Sequence, residues 1–287
     1  MRALLAFIIA LVLADPAWAQ GRGGRGPMAP SEGGADLDEA LARHGPEAIG
    51  AFSPTRATLA AMTARGFLAT GLEPVYPKEA RCPEIRSGFA DPTRSDGSRR
   101  PLRFFQGLHG GIDIPAPEGT PIRAMAAGTV VHKHGIQGIG GIGLILQHAP
   151  EDTGLPAWLY TEYKHLRALP DGPIGERVAL GQVIAEAGIS GTQGHYGEEG
   201  LSHLHLTAYW STSPEFSAGR LFIPKDGRWL DPLALFRPAG GAADLESAAL
   251  KALPKAEKKI AIAYRGPDGQ TSPHGARLIW PFACAGR

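Results

Sequence analysis

From about residue 83 onward the chain is a series of short apolar runs separated by Gly, Pro and Asp. The clearest are Gly128 to Val131, Gly143 to Gln147, Trp158 to Tyr163, Gln182 to Glu186 and Leu204 to Trp210. Many of these runs are rich in β-branched or aromatic residues, and each is only a few residues long. That pattern predicts an antiparallel, mainly β domain rather than a helical bundle. It closes near Trp229, Leu230, Asp231 and Pro232. Upstream the period changes. Asp36 can cap a helix carrying Leu37 and Leu41 on one face, with Gly45 as its stop. Ser53 followed by Pro54 reads as the start of a second helix, with Leu59 and Met62 on one side and Gly66 just past its end. Downstream, a helix-like stretch around Asp244 to Leu253 precedes two strand-like runs, Ile260 to Tyr264 and Arg277 to Phe282, with a turn at Pro267, Asp268 and Gly269.

The first 35 residues read differently. Met1 and Arg2 precede an unbroken apolar run from Ala3 to Ala14, and Ala17, Trp18 and Ala19 supply a small-x-small cleavage pattern before Gln20. That order predicts a secretory signal whose apolar core is too short for a permanent span. Residues 20–35 are Gly-rich and nearly free of large apolar groups, as expected of a flexible leader. The expected organisation is therefore a signal peptide over 1–19, a leader over 20–35, a helical region over 36–82, a β domain over 83–236 and an extension over 237–287. An exported protein in the periplasm or outside the cell, with no membrane anchor after cleavage, follows from that order.

Composition narrows the field modestly. A formal net charge of +1 provides no basic footprint for nucleic acid. The 39 glycines and 25 prolines agree with a loop-rich β protein. Cys82 and Cys284 are the only cysteines. In an oxidising compartment they can pair, closing a loop of about 200 residues, or stay free and buried.

The histidines carry the chemistry. His109 and Asp113 lie in LHGGIDIPAPEGTP, where Gly110, Gly111 and Pro115 argue against a helix. In a straight strand the two would stand roughly 13 Å apart, and the paired glycines allow the bend that brings imidazole and carboxylate together. His203 and His205 alternate along a strand, so both face the same way about 7 Å apart. They can both be ligands, or one ligand and one base. His165, in TEYKHL, ends an aromatic strand and is a third candidate. His132 and His134 share the His203/His205 spacing without a role. A His/Asp/His set with an open fourth position is what hydrolytic zinc requires.

These motifs occur in an order that resembles the lysostaphin-type (LytM-like) zinc metallopeptidases, which are murein endopeptidases. Ile85 to Phe89 resembles the family's opening strand, HGGIDIPAPEGTPIRAMAAGTVV its first metal motif, YKHL its central histidine motif, GERVALGQVIAEAG the stretch that comes after it, and HLH its last motif. The resemblance runs from Ser87 to Asp231, about half the chain. It implies an antiparallel β-sheet core of the lysostaphin/LytM (duplicated hybrid motif) type, to which the sequence pattern outside the resemblance adds a short N-terminal helical hairpin and a C-terminal extension. It also implies a Zn2+ cofactor held by His109, Asp113 and His205, with His165 and His203 as the catalytic histidines beside it. A peptidoglycan peptide is the implied substrate, and any regulatory protein partner is unidentified.

The sequence departs from the family where Gly194 to Ser202 replaces a shorter Gly-Pro lead into HLH, placing His195, Tyr196, Glu198 and Glu199 in a loop beside the site. It departs again where Leu206 and Thr207 follow HLH in place of an aromatic-plus-acid pair. Residues 135–143, GIQGIGGIG, read as a flexible groove wall. The competing readings are a non-catalytic wall-binding protein or amidase activator, and a secreted protease acting on proteins.

Overall fold

The structure, a computed structural model, describes residues 35–135, 140–192, 201–219 and 221–287, the side chains of 35–42 excepted. Residues 1–34 of the signal and leader, residues 136–139 of the 135–143 wall and the residues His195, Tyr196, Glu198 and Glu199 lie outside the described residues.

A seven-stranded antiparallel sheet organises the molecule. Its strands are β1 (Ile112–Pro115), β2 (Gly128–His134), β3 (Gly143–His148), β4 (Trp158–Lys164), β5 (Arg177–Val178), β6 (His203–Ser211) and β7 (Arg228–Leu230). Four of the five apolar runs of the sequence fall on these strands, within a few residues at each end; the fifth, Gln182 to Glu186, becomes a strand Val183–Glu186 that pairs with Pro121–Arg123 in a separate two-stranded sheet. The spatial order is β7-β6-β4-β3-β2-β5. Seven of the nine residues of β6 pair along one edge with β4, from His205 opposite Lys164 to Ser211 opposite Trp158. The other edge is divided. Its first half pairs with β1 and its second half with β7.

Alternation explains why β6 can be both core and site. Leu204, Leu206 and Ala208 are fully buried beside Ile112, Ile114 and Tyr163, and each large apolar side chain so buried contributes about 1.5–3 kcal/mol. The intervening positions, His203, His205, Thr207 and Tyr209, lie on the opposite face.

The N-terminal helices differ in detail from expectation. Helix α1 spans Ala35–Phe52 as two helical segments: Gly45 (φ 72°, ψ 169°) leaves helical geometry and stops the first, as expected, and Pro46 opens the second across a kink. Helix α2 starts later than the Ser53–Pro54 signal suggests. It spans Leu59–Ala64 and is capped by Thr58, whose hydroxyl accepts from the Ala61 N–H. Ser53 instead ends α1, its N–H donating to Ile49 O. Met62 is buried, but Leu59 is 57% exposed, so the two do not share a buried face. Phe52 of α1 and Phe67, three residues past the end of α2, pack on Trp229 of β7.

The tail contains a one-and-a-half-turn helix, α3 (Ser247–Ala252), and a hairpin pairing Tyr264–Arg265 with Thr271–Ser272 across the turn at Pro267–Gly269. Residues 277–282 are not a strand. They cross the core as an irregular segment in which Ile279, Trp280 and Phe282 are fully buried. Their polar groups are satisfied elsewhere: Ile279 N–H donates to Met125 O, Trp280 N–H to Ala263 O, and the Trp280 indole to Pro83 O. Cys82 and Cys284 form a disulfide across 202 residues, next to a short antiparallel pair of Ala80–Arg81 with Ala285–Gly286. Among the described residues no helix is long and apolar enough to cross a membrane.

A cross-link closing so long a loop removes up to about 5 kcal/mol of unfolded-state entropy. Cys284→Ser is expected to cost roughly 2–5 kcal/mol, read as a lower midpoint in thermal or denaturant unfolding. The largest gain in amide exchange should fall in residues 259–286. A variant with unchanged midpoint would show that the tail is held by packing alone.

Candidate metal centre

The site is assembled by strand register. In the antiparallel pairing of β6 with β1, His205 stands directly opposite Asp113, a placement that puts the two side chains on one face within contact distance. His109 reaches the same point because the chain bends at Gly110 and Gly111. A closer reason for glycine is space. A Cβ on Gly111 would lie 2.3 Å from Leu206 O and 3.0 Å from His205 Nε2, and one on Gly110 would press on the Trp229 ring at 3.2 Å. The segment expected as the opening strand, Ile85 to Phe89, forms only a single bridge, Ser87 with Asp113, and pins the motif from its other side. Arg86 N–H donates to Asp113 O, Asp113 N–H to Ser87 O, and Ala90 N–H to His109 O.

Three donor atoms converge. His109 Nε2 is 3.0 Å from Asp113 Oδ1 and 3.0 Å from His205 Nδ1, and His205 Nδ1 is 2.9 Å from Asp113 Oδ1. Tetrahedral ligands about 2.0–2.1 Å from a zinc-sized ion stand roughly 3.3 Å apart, close to this spacing. The donor chemistry also suits a cation. His109 Nδ1 lies 2.8 Å from Gly88 O, which can only accept, so Nδ1 carries the hydrogen. In the neutral ring Nε2 then directs a lone pair at a carboxylate oxygen 3.0 Å away. That contact is repulsive with nothing between the two atoms and attractive with a metal ion there. His205 has the matching support, its Nε2 lying 3.0 Å from Thr207 Oγ1. His109, Asp113 and His205 thus form the group among the described residues that could hold a metal ion.

Burial alone would raise the Asp113 carboxyl. The charge and hydrogen bond of His109, and those of His205, outweigh it and hold the carboxyl well below the usual carboxylate range. Burial pushes His205 down to about 3, against the pull of Asp113. Both groups are therefore in their ligand forms at neutral pH.

His165 and His203 flank this cluster. Their rings are 4.6 Å apart between centroids, and His165 lies 5.8 Å from the His205 ring. His165 adopts φ 63°, turning out of β4 at its end. Its Nδ1 is tied to Ser190 O at 2.7 Å, and His203 Nδ1 to Leu201 O at 2.7 Å. Each ring therefore has Nδ1 fixed by a carbonyl and Nε2 left for other partners, and His203 Nε2 is 3.6 Å from Asp113 Oδ1. Burial, followed by the positive influence of His203 and His205, holds His165 well below the usual imidazole range.

His134 and His148 have partners of their own. His134 pairs with Glu162 at 3.1 Å, and His148 is a satisfied core residue between Ala127 O and Thr161 Oγ1. Sequence spacing missed two supports of the centre. Arg100 Nη2 lies 3.2 Å from Asp113 Oδ2 and 2.8 Å from Ser87 Oγ, and the Gly88 carbonyl orients His109. No periodicity marks Arg100. The only signal is the basic and aromatic run SRRPLRFF in which it lies.

The residues between Gly107 and Glu215, which include all five of these His and Asp positions, match the model of Peptidase family M23. The match covers well under half of the chain and agrees with the motif order read from the sequence. No curated protein matches the chain. Among solved structures, a zinc containing peptidase from Vibrio cholerae aligns at 25% identity with a TM-score of 0.35, over 54% of this chain and 37% of that one. The catalytic domain of the antimicrobial peptidase lysostaphin from Staphylococcus simulans aligns at 25% identity with a TM-score of 0.30, over 40% and 77%. The chain thus spans little more than a third of the length of the Vibrio cholerae protein.

The purified protein is expected to bind one divalent ion per chain, and His109→Ala to lose it, as read by elemental analysis after desalting. Gly111→Ala should lower metal affinity at least tenfold without touching a donor atom, because the β1–β6 approach must open to admit the methyl group. Equal affinity in Gly111→Ala would show that the close approach does not set the donor geometry.

Proposed function

We propose that the protein is an exported zinc endopeptidase that hydrolyses peptide bonds in peptidoglycan cross-links or stem peptides. The observation that carries this reading is the completeness of the site. His109, Asp113 and His205 converge on one point, and two further histidines with fixed tautomers stand beside it, all within an M23 peptidase segment. A binding module has no use for the second pair.

Held by His109, Asp113 and His205, a zinc ion would supply Lewis acidity for the scissile carbonyl and for a water whose pKa would fall to about 7. The protein supplies orientation and proton traffic. Ser190 O and Leu201 O each accept from an Nδ1–H, so His165 and His203 are left with Nε2 as the working atom. A neutral Nε2 can take a proton from the attacking water and return it to the leaving amine. Burial favours the neutral ring of His165, which suits it to accept. Arg100 and His205 divide the two oxygens of Asp113 between them, Oδ2 facing the guanidinium and Oδ1 the imidazole. The carboxylate is thereby restrained from swinging.

An extended peptide fits the groove above this point, which is lined by Phe104, Phe105, Leu108 and Trp229 as well as the histidines. Export rests on the signal pattern of residues 1–19.

Purified sacculi incubated with the zinc-loaded mature protein are expected to lose cross-linked dimers, with products read by chromatography and mass spectrometry. Chelation should abolish the release. His203→Ala should lower it by 100-fold or more while the metal stays bound, since general acid–base groups contribute about 10²–10⁴ in rate. Wall binding by the metal-loaded protein with no released product would replace this reading with a non-catalytic one.

A further inference from the structure

The groove above the metal centre, a cavity of about 340 Å³, is lined by four cationic side chains and one carboxylate. The cations are Arg94, Arg100, Arg103 and Lys164, and the carboxylate is Asp113 itself. Two of the four charges are matched within the protein: Lys164 Nζ lies 2.9 Å from Glu162, and Arg100 3.2 Å from Asp113. The other two are not matched at the groove. Arg94 donates to the Ser98 hydroxyl and to Arg99 O, both neutral, and Asp96, on which its charge acts in a minor way, accepts from the Ser98 N–H outside the groove lining. Arg103 lies over the Phe104 ring at 4.7 Å and has no carboxylate partner among the described residues.

Arg100 makes this more than a collection of surface charges. Its side chain is only 15% exposed. Nε donates to Thr93 O, and Nη2 donates to Ser87 Oγ and Asp113 Oδ2. Those bonds fix the guanidinium plane, while Nη1 has no partner among the described residues. A guanidinium held on one edge and open on the other is pre-organised to receive a carboxylate, because little side-chain entropy remains to be lost. Its position is set by Asp113, a candidate metal ligand, so the open edge is tied to the reacting centre. A dry, aromatic wall of Phe104 and Phe105 strengthens any charge pairing made there.

We infer that this groove selects acidic peptides. A free carboxylate close to the scissile bond is received by Arg100, with Arg103 and Arg94 adding positive charge at the rim. The inference deepens the endopeptidase reading and rests on it for the identity of the scissile bond. A wall peptide whose carboxylates are free would be the substrate class, and one whose carboxylates are capped as carboxamides would be a poor substrate.

The test uses cross-linked muropeptides with free carboxylates and the same muropeptides converted to carboxamides. The zinc-loaded full chain is expected to cut the free form with kcat/KM at least tenfold higher, the difference lying mainly in KM and shrinking as salt is raised from about 0.05 to about 0.5 M. The double variant Arg94→Gln/Arg103→Gln should reduce the preference several-fold with metal content and unfolding midpoint unchanged. Arg100→Lys keeps a charge near Asp113 but loses the fork, and should reduce the preference too. Equal kcat/KM on the two muropeptides, or a preference untouched in the double variant, would overturn the inference while leaving the peptidase reading intact. Binding of both forms to zinc-loaded His203→Ala by calorimetry separates the two ideas. Tighter binding of the free form without cutting by the wild type would sink the peptidase reading alone. Equal binding, or none, would sink this one.

Discussion

Everything at the centre depends on the antiparallel register of β6 against β1. It sets His205 opposite Asp113, and a slip of one residue would turn both side chains to the wrong face of the sheet. The register is held on both sides. On one, Leu204 and Leu206 are fully buried against β1 and β4. On the other, Ser87 bridges Asp113 from the segment that precedes the domain's first long strand. The price of the close approach is a position at which only glycine fits, Gly111, whose Cβ would overlap the Leu206 carbonyl. Hydrophobic burial in the core thus sets distances between polar atoms on the opposite face.

That opposite face has to accommodate buried charge. Glu162 on β4 is inaccessible, and burial alone would raise its carboxyl. Lys164 at 2.9 Å and His134 at 3.1 Å hold it ionised instead, and Tyr209 donates its hydroxyl at 3.2 Å. A buried carboxylate so surrounded is compensated, whereas removing one partner would leave an unpaired charge costing several kcal/mol. Glu162 and Lys164 lie on the strand that leads into His165. The network therefore stiffens the end of β4, where His165 must leave the strand at positive φ.

Much of this was legible in the sequence, for identifiable reasons. Strand positions followed from apolar runs, because burying one or both faces of a sheet imposes its period on the chain. His203 and His205 could be assigned to one face from alternation alone, and their order with His109, Asp113 and His165 suggested a shared centre. Helix limits were less legible. Ser53–Pro54 is a good local start signal, but Ser53 is drawn into the end of α1 and Thr58 takes the capping role. The segment 277–282 has the composition of a strand, yet its N–H groups find partners in three separate parts of the chain. Arg100 was illegible because its contact with Asp113 spans 13 residues of irregular chain, and no period connects them.

The centre is also not self-contained within the segment that matches family M23. The match begins at Gly107 and ends at Glu215, but the carbonyl that fixes the His109 tautomer belongs to Gly88, and the guanidinium on Asp113 belongs to Arg100. Trp229, which presses on Gly110, lies beyond the other end. Trp229 is itself held from the N-terminal region: its indole donates to Ala51 O, its backbone N–H donates to Arg65 O, and Phe52 and Phe67 pack on its ring. A continuous chain of contacts therefore runs from α1 through Trp229 and Gly110 to His109. The helices preceding the domain thereby act as a brace for one ligand position, and that role gives a physical reason for a hydrophobic contact between two parts of the chain that share no strand pairing.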